Sequence, residues 1–386
     1  MQVLGKDDFR MSQMVDEQDL KQLCVKLWSW QLCEACQTQQ ACELVECPAR
    51  RLKRLTKFLA FYKSAVTLAE QQSPDFRVRV LESIDRLKQD PGLKKGSTAA
   101  TSGLGDTVDE AIDLAAQLLT MTNIFHFDQA SEVLLEEGRR LSVWKKGVLF
   151  SQFLVDCFPM SDHPRINGDK VEDLTSARHA IRARKLQSRA GLRFVPTDDL
   201  TRHLKLDRRY NIVEIFHHVA FLKEHLRLTK DGPTRLSVEQ SLKRGALPRQ
   251  LAVEVVDSIQ KVLFPASDAK SRAILNSLVS SCETSFDSEC QRLDFVETRR
   301  PDERWLQYYY FGDRLAELLE EVENPRPHHR LGKILERWSR ARHLTLITIS
   351  GVLLAVMLGM AALVVGIAQT WISYQAWKHP VPQSQP

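Results

Sequence analysis

Chain-breaking residues are scarce: the 386 residues hold 16 glycines and 15 prolines, too few for a collagen-like or low-complexity disordered chain. Catalytic signatures are scarcer. The glycine-rich stretch at residues 96–105 lacks the Gly-Lys-Ser/Thr ending of a phosphate-binding loop, and no His-Glu-x-x-His helix or nucleophile elbow occurs. No motif therefore identifies a reaction. Lys6, Asp7, Asp8 and Arg10 stand where a secretory signal would be apolar. Long apolar runs are limited to one, which excludes a multi-span membrane protein. What is present, 43% hydrophobic and 27% charged residues, suits a globular chain of about two or three domains.

The apolar run covers residues 344–368, 25 residues without a charge and with only Thr345, Thr348 and Ser350 as hydroxyl-bearing interruptions. A helix of that length reaches about 38 Å, more than the ~30 Å hydrocarbon layer, and a soluble core helix rarely stays apolar on every face for so long. Trp371, Tyr374 and Trp377 follow, where amphipathic rings meet lipid headgroups. These residues predict a transmembrane helix over 344–372 and a short non-cytosolic tail over 373–386. Inside the span Gly351, Ala355 and Gly359 form a small-residue track that permits close helix packing and hence a homodimer.

Orientation follows from the flanks. Arg326, Arg330, Lys333, Arg337, Arg340 and Arg342 precede the span against a lone Glu336, whereas Lys378 and His379 follow it. Positive charge marks the cytosolic side. This basic juxtamembrane segment, 324–343, matches the formal +5 of the entire chain, so the charge is no footprint of nucleic acid. Leu331, Ile334, Leu335 and Trp338 share one face of it, as in a helix lying in the membrane interface beside Arg340 and Arg342. The expectation is a tail-anchored, single-pass chain with its N-terminus cytosolic. The span length favours the secretory pathway or plasma membrane. Asn324-Pro325-Arg326-Pro327 interrupts any heptad repeat leading into the anchor, which argues against a membrane-fusion helix of the SNARE kind.

Eight cysteines in that compartment are expected to be reduced. Five fall in residues 24–47, and Cys33, Cys36, Cys42 and Cys47 have spacing that can close a tetrahedral zinc site. Against zinc stands the absence of Gly or Pro from residues 15–46, with Leu20, Leu23, Leu27 and Trp30 at helical intervals. One straight helix turns Cys42 away from Cys36 and Cys47, so no metal is assigned.

Helical periodicity continues over residues 49–72, 74–87, 107–121, 128–137, 142–157, 248–264, 266–281 and 303–323. The fold class predicted is all-α: an N-terminal helical segment over 1–95 with the Cys cluster, a flexible linker over 96–106, and a helical domain over 107–323. Residues 175–193 carry Arg178, Arg182, Arg184, Lys185, Arg189 and Arg193 without one acid, which favours anionic lipid headgroups as a partner. Leu192 to Val195 reads as a short extended piece, and Thr197 as the N-cap of a following helix. A helix is predicted over 211–228. On it Glu214 and His217 have the i,i+3 spacing of di-iron bundles, near His218 and His225, but no second copy of the motif exists.

Several pieces resemble a family of filamentous-fungal proteins with one C-terminal span. They are Pro196-Thr197-Asp198-Asp199-Leu200, Ile215 to Glu224, Asn324-Pro325-Arg326-Pro327 and the ending Tyr374 to Pro380. The resemblance covers much of the chain from about residue 175 onward. It implies fold and topology, and brings no established activity, ligand or catalytic residue. The expected function is a membrane-anchored cytosolic interaction or scaffolding module, with a bilayer and an unidentified protein as partners and no cofactor or nucleic acid. The alternative is an enzyme with a helical metal site around Glu214, His217, His218 and His225.

Overall fold

The structure is a computed structural model and describes residues 15–38, 42, 44, 46–70, 73–96, 105–124, 144–168, 171–233, 236–281, 286–304, 306–325 and 343–378. Most of the expected linker, the helix at 128–137, Trp305, the basic segment with Trp338, Arg340 and Arg342, and the tail beyond Lys378 lie outside the described residues. The chain divides into two units, Met1–Pro325 and Arg326–Pro386.

Helices dominate the first unit, as the periodicity predicts. Helix α1 (Glu17–Trp28) begins at Asp16, whose side chain accepts from Glu17 N–H at 2.6 Å while Asp19 accepts from the Asp16 backbone at 3.0 Å. This reciprocal capping leaves Leu20, Leu23, Cys24, Leu27 and Trp28 on the buried face. The helix does not continue to residue 46. Ser29 takes a left-handed conformation (φ 54°, ψ 41°) and its N–H closes onto Val25 O, ending α1 without a glycine. The reason is tertiary. Trp28 and Trp30 are both buried with ring centroids 6.0 Å apart, and on a continuous helix residues two apart face opposite ways. Among the described residues only one further helical turn forms, α2 (Glu34–Gln37), before the 3₁₀ segment Pro48–Arg54 and α3 (Thr56–Glu70).

Helices α4 (Phe76–Gln89) and α5 (Gly105–Thr120) pack together, and one apolar core runs from Val15 to Val322. Within it sits a small sheet in the order β1-β3-β2: β1 (Arg193–Thr197) parallel to β3 (Ile212–Phe216), and β2 (Lys205–Asp207) antiparallel to β3. The extended piece predicted at 192–195 is thus β1. The helix predicted at 211–228 divides into β3 and a helix at Val219–Leu228. Ile212, Val213 and Ile215 are β-branched, and Val213, Ile215 and Phe216 are all buried, which a central strand accommodates. Thr197 ends β1 instead of capping a helix, and Asp199 caps the short 3₁₀ turn Leu200–Arg202 by accepting from Thr201 N–H at 2.9 Å.

The helix predicted at 303–323 forms only over Gly312–Glu323. Before it, the backbone N–H groups of Tyr309, Tyr310 and Phe311 donate to the buried Glu254 carboxylate at 2.8, 2.9 and 3.0 Å, holding that stretch out of helix. In the second unit, helix His343–Lys378 has 36 residues, and its stretch Gly351–Gln375 has mean hydropathy 2.6 with none of its apolar window buried. It is the one described helix long and apolar enough to cross a membrane.

Candidate metal centre

The break after Trp28 brings four sulfurs together. Cys33 precedes α2 as its N-cap and Cys36 lies within it, while Cys47 stands directly before Pro48. The Sγ atoms of Cys33, Cys36, Cys42 and Cys47 lie within 4.8 Å of one another, with Cys33–Cys42 and Cys36–Cys47 each at 3.7 Å. Cys36 and Cys47 are buried; Cys33 and Cys42 are half-buried. Burial, with the neighbouring thiols adding to it, pushes the Cys36 thiol up to about 12. For Cys47 burial acts the same way but is outweighed by hydrogen bonds from the Cys33 and Ala49 backbones, which draw it down to about 7. The straight-helix expectation, on which these ligands do not converge, is corrected by the turn at Ser29.

Glu214, His217, His218 and His225, the alternative site, are dispersed. Glu214 lies in β3 and pairs with Arg202. His225 is buried in the helix Val219–Leu228, where its Nδ1 accepts the Leu247 N–H at 3.1 Å. His217 and His218 instead meet Asp198, which sequence reasoning placed in a helix. One Asp198 oxygen lies 3.0 Å from His217 Nε2 and 2.7 Å from His218 Nε2. The β1–β3 register explains this: Thr197 pairs with Phe216, so the next residues along the two parallel strands, Asp198 and His217, emerge side by side. That signal was available only to a reading that recognised β3.

Asp198, His217 and His218 also gather within 4.8 Å, but the tautomer of His217 is fixed by the partner of its second nitrogen. His217 Nδ1 accepts the Asp287 N–H at 3.2 Å, so in the neutral ring Nε2 carries the hydrogen and donates it to Asp198. A ligating histidine does the reverse, donating from its second nitrogen so that the first keeps a lone pair for the metal. The trio is therefore a hydrogen-bonded bridge. Bonds from His217 and His218 hold the Asp198 carboxyl well below the usual carboxylate range, and burial draws His218 down to about 4. His203 repeats the theme: Nδ1 accepts the Phe216 N–H at 3.2 Å, Nε2 lies 2.8 Å from the Ser258 hydroxyl, and burial keeps the ring neutral.

A polar cleft of about 370 Å³ adjoins Cys47, lined by Trp30, Glu46, Pro48, Arg51 and Glu224. The Arg51 guanidinium stacks over Trp30 at 5.2 Å and pairs with Glu224 at 2.9 Å, while Trp30 Nε1 donates to Glu224 at 3.1 Å.

The basic run at 175–193 is partly spent inside the fold. Arg182 and Arg184 reach Asp268 at 3.6 and 2.7 Å, and Arg178 donates to Leu306 O at 2.5 Å while stacking over Tyr308. Arg189 and Arg193 are exposed. On the apolar helix, Trp371, Tyr374 and Trp377 are exposed, Lys378 lies over the Tyr374 ring at 6.0 Å, and a Cβ built on Gly351 or Gly359 would meet nothing within 4 Å. Ala355 falls one turn from each glycine.

In comparisons with known proteins, no family model, curated protein or solved structure matches this chain.

Proposed function

We propose that the chain acts as a membrane-held helical interaction module, with the unit Met1–Pro325 kept at a bilayer by the helix His343–Lys378. The carrying observation is the stretch Gly351–Gln375, whose mean hydropathy of 2.6 coincides with side chains that no part of the described chain covers. In water such a face of Leu, Val, Ile and Met would associate or aggregate, whereas lipid removes the need for a protein cover. The helix covers about 54 Å at its full length, enough to cross the hydrocarbon layer and emerge at Trp371, Tyr374 and Trp377.

The arginine-rich residues 326–342 support placing the large unit on the cytosolic side, where anionic headgroups add to attachment. The Gly351, Ala355 and Gly359 track supports pairing of two copies through the span. Interaction, not catalysis, is the better reading, because Glu214 and His225 of the alternative site lie apart from the other two residues, and the Nδ1 atoms of His217 and His225 accept backbone N–H groups in the core. Alkaline carbonate washing of membranes carrying the full chain tests the proposal. The protein is expected to stay in the pellet and to be released once residues 343–378 are deleted. Release of the intact chain would overturn it.

A further inference from the structure

We infer that Cys33, Cys36, Cys42 and Cys47 hold one structural zinc ion in a tetrahedral four-thiolate site. Geometry carries this first. Zinc–thiolate bonds of about 2.3 Å place the corners of a tetrahedron about 3.8 Å apart. The two close sulfur pairs stand at 3.7 Å, and every pair is within 4.8 Å. A disulfide needs about 2.0 Å, so neither close pair is one. A two- or four-iron cluster divides its thiolates among separate irons and requires some of them farther apart. A single ion fits the gathering.

Packing carries it second. From Ser29 to Cys47 the described chain has one helical turn, and its buried side chains are Trp30, Cys36 and Cys47. Leu44 is 61% exposed, so it adds no apolar burial to the segment. Segments this poor in apolar burial and regular backbone pairing are commonly held by a metal. The four cysteines are placed for it: one pair flanks and enters α2 at C-x-x-C spacing, and the second pair, Cys42 and Cys47, follows between α2 and Pro48. Zinc, with no redox chemistry and a preference for thiolates, suits a site whose function is to close that loop.

Closure has a consequence beyond the loop. Trp30 lies three residues before Cys33 and Arg51 four after Cys47, and both bond to Glu224 in the helix Val219–Leu228, at 3.1 and 2.9 Å. The ion therefore fixes the two ends of the loop at the spacing that lets Trp30 and Arg51 share one carboxylate. It ties the N-terminal arm to the helix that follows the sheet.

The test uses the full chain in detergent, purified without a polyhistidine tag, with elemental analysis for metals. About one zinc per chain is expected, and cobalt substitution should give the intense thiolate charge-transfer and tetrahedral ligand-field bands of a four-sulfur centre. Cys42→Ser, at the half-buried rim, should lower zinc retention at least tenfold, while Cys157→Ser and Asp198→Asn should leave it unchanged. A folded wild-type protein without zinc would overturn the inference. So would iron in place of zinc, disulfides joining these residues, or zinc lost equally from Cys157→Ser.

Discussion

Two clusters of metal-ligand side chains, the four thiols and the Asp198 group, each gather within 4.8 Å, yet they differ in what lies behind the ligand atoms. Behind the sulfurs is a loop with little core of its own. Behind His217 is a backbone N–H from Asp287 that commits the ring to one tautomer. Proximity alone does not distinguish a metal site from a polar bridge; the partner of the second ring nitrogen and the packing of the supporting segment do. The same criterion covers His203 and His225, whose Nδ1 atoms accept N–H groups of Phe216 and Leu247. In this fold His203, His217 and His225 serve as buried acceptors that join separate segments.

The sharpest way to separate the clusters is to remove one sulfur from the interior. Cys36→Ala leaves three thiols around an ion and opens space in a buried site. A loss on the order of 3–5 kcal/mol in unfolding free energy is expected, because losing a structural metal belongs with the largest single-residue effects. Denaturant titration of the full chain in detergent, followed by tryptophan fluorescence, measures it. Hydrogen exchange should rise over residues 29–54 and stay unchanged over 198–218. Equal deprotection of both regions would show that the loop is not an independent module and would weaken the contrast.

Acid should act on the histidine side. His218 and His225 are held by burial at about 4 and 3, below the ordinary value near 6.5, so the unfolded chain takes up protons before the folded one does. Stability from these rings is present above pH 6.5 and is lost as pH falls from there toward 4 and 3. At pH 5 the loss is about 2 kcal/mol for each ring. The histidine contribution, shared with the equally neutral His203, should lower the denaturant midpoint between pH 7 and pH 5, and His225→Phe should remove about one third of it. An unchanged pH slope in His225→Phe would show that the ring is not buried neutral.

Legibility in the sequence divides along similar lines. The apolar stretch at 344–368 and the helices over 56–70, 76–89 and 269–280 were readable because one signal, apolar length or a helical period, decides them locally. Strand β3 was not, since Ile212, Phe216, Val219 and Leu226 recur at intervals that also suit a helix, and the choice depended on pairing with β1. The loop at Ser29 was hidden because no glycine or proline marks it; burying Trp28 and Trp30 together decides it. Both failures reached the candidate sites. A straight helix hid the convergence of the cysteines, and a missed strand hid Asp198. Sequence spacing identified the right cysteines, but only tertiary packing could say that they meet.

A milder intervention exchanges His217 for Phe. The ring is kept, but the acceptor for the buried Asp287 N–H at 3.2 Å is removed, as is one donor to Asp198. An unmet buried donor costs about 1–3 kcal/mol, so a loss near 2 kcal/mol is expected with zinc content unchanged. Elemental analysis and denaturant titration on the same sample check both halves. Loss of zinc from His217→Phe would mean that the two clusters are coupled.

Asp198→Asn should have the smallest effect. The Asp198 side chain is 56% exposed, so solvent screens much of what its charge contributes. The amide oxygen can still accept from one or both Nε2 groups, so the loss should stay within about 1 kcal/mol at pH 7. Its value lies in the pH direction. The carboxyl of Asp198 titrates well below its ordinary range because His217 and His218 donate to it, so it contributes stability above the unfolded value and loses it as pH falls below about 4. Asn has no such titration. The variant should therefore be slightly weaker than wild type at pH 7 and should converge with it below pH 4, whereas a metal at Asp198 would make the gap large at neutral pH and sensitive to chelator. A chelator-dependent gap between the two proteins would reassign Asp198, His217 and His218 as ligands.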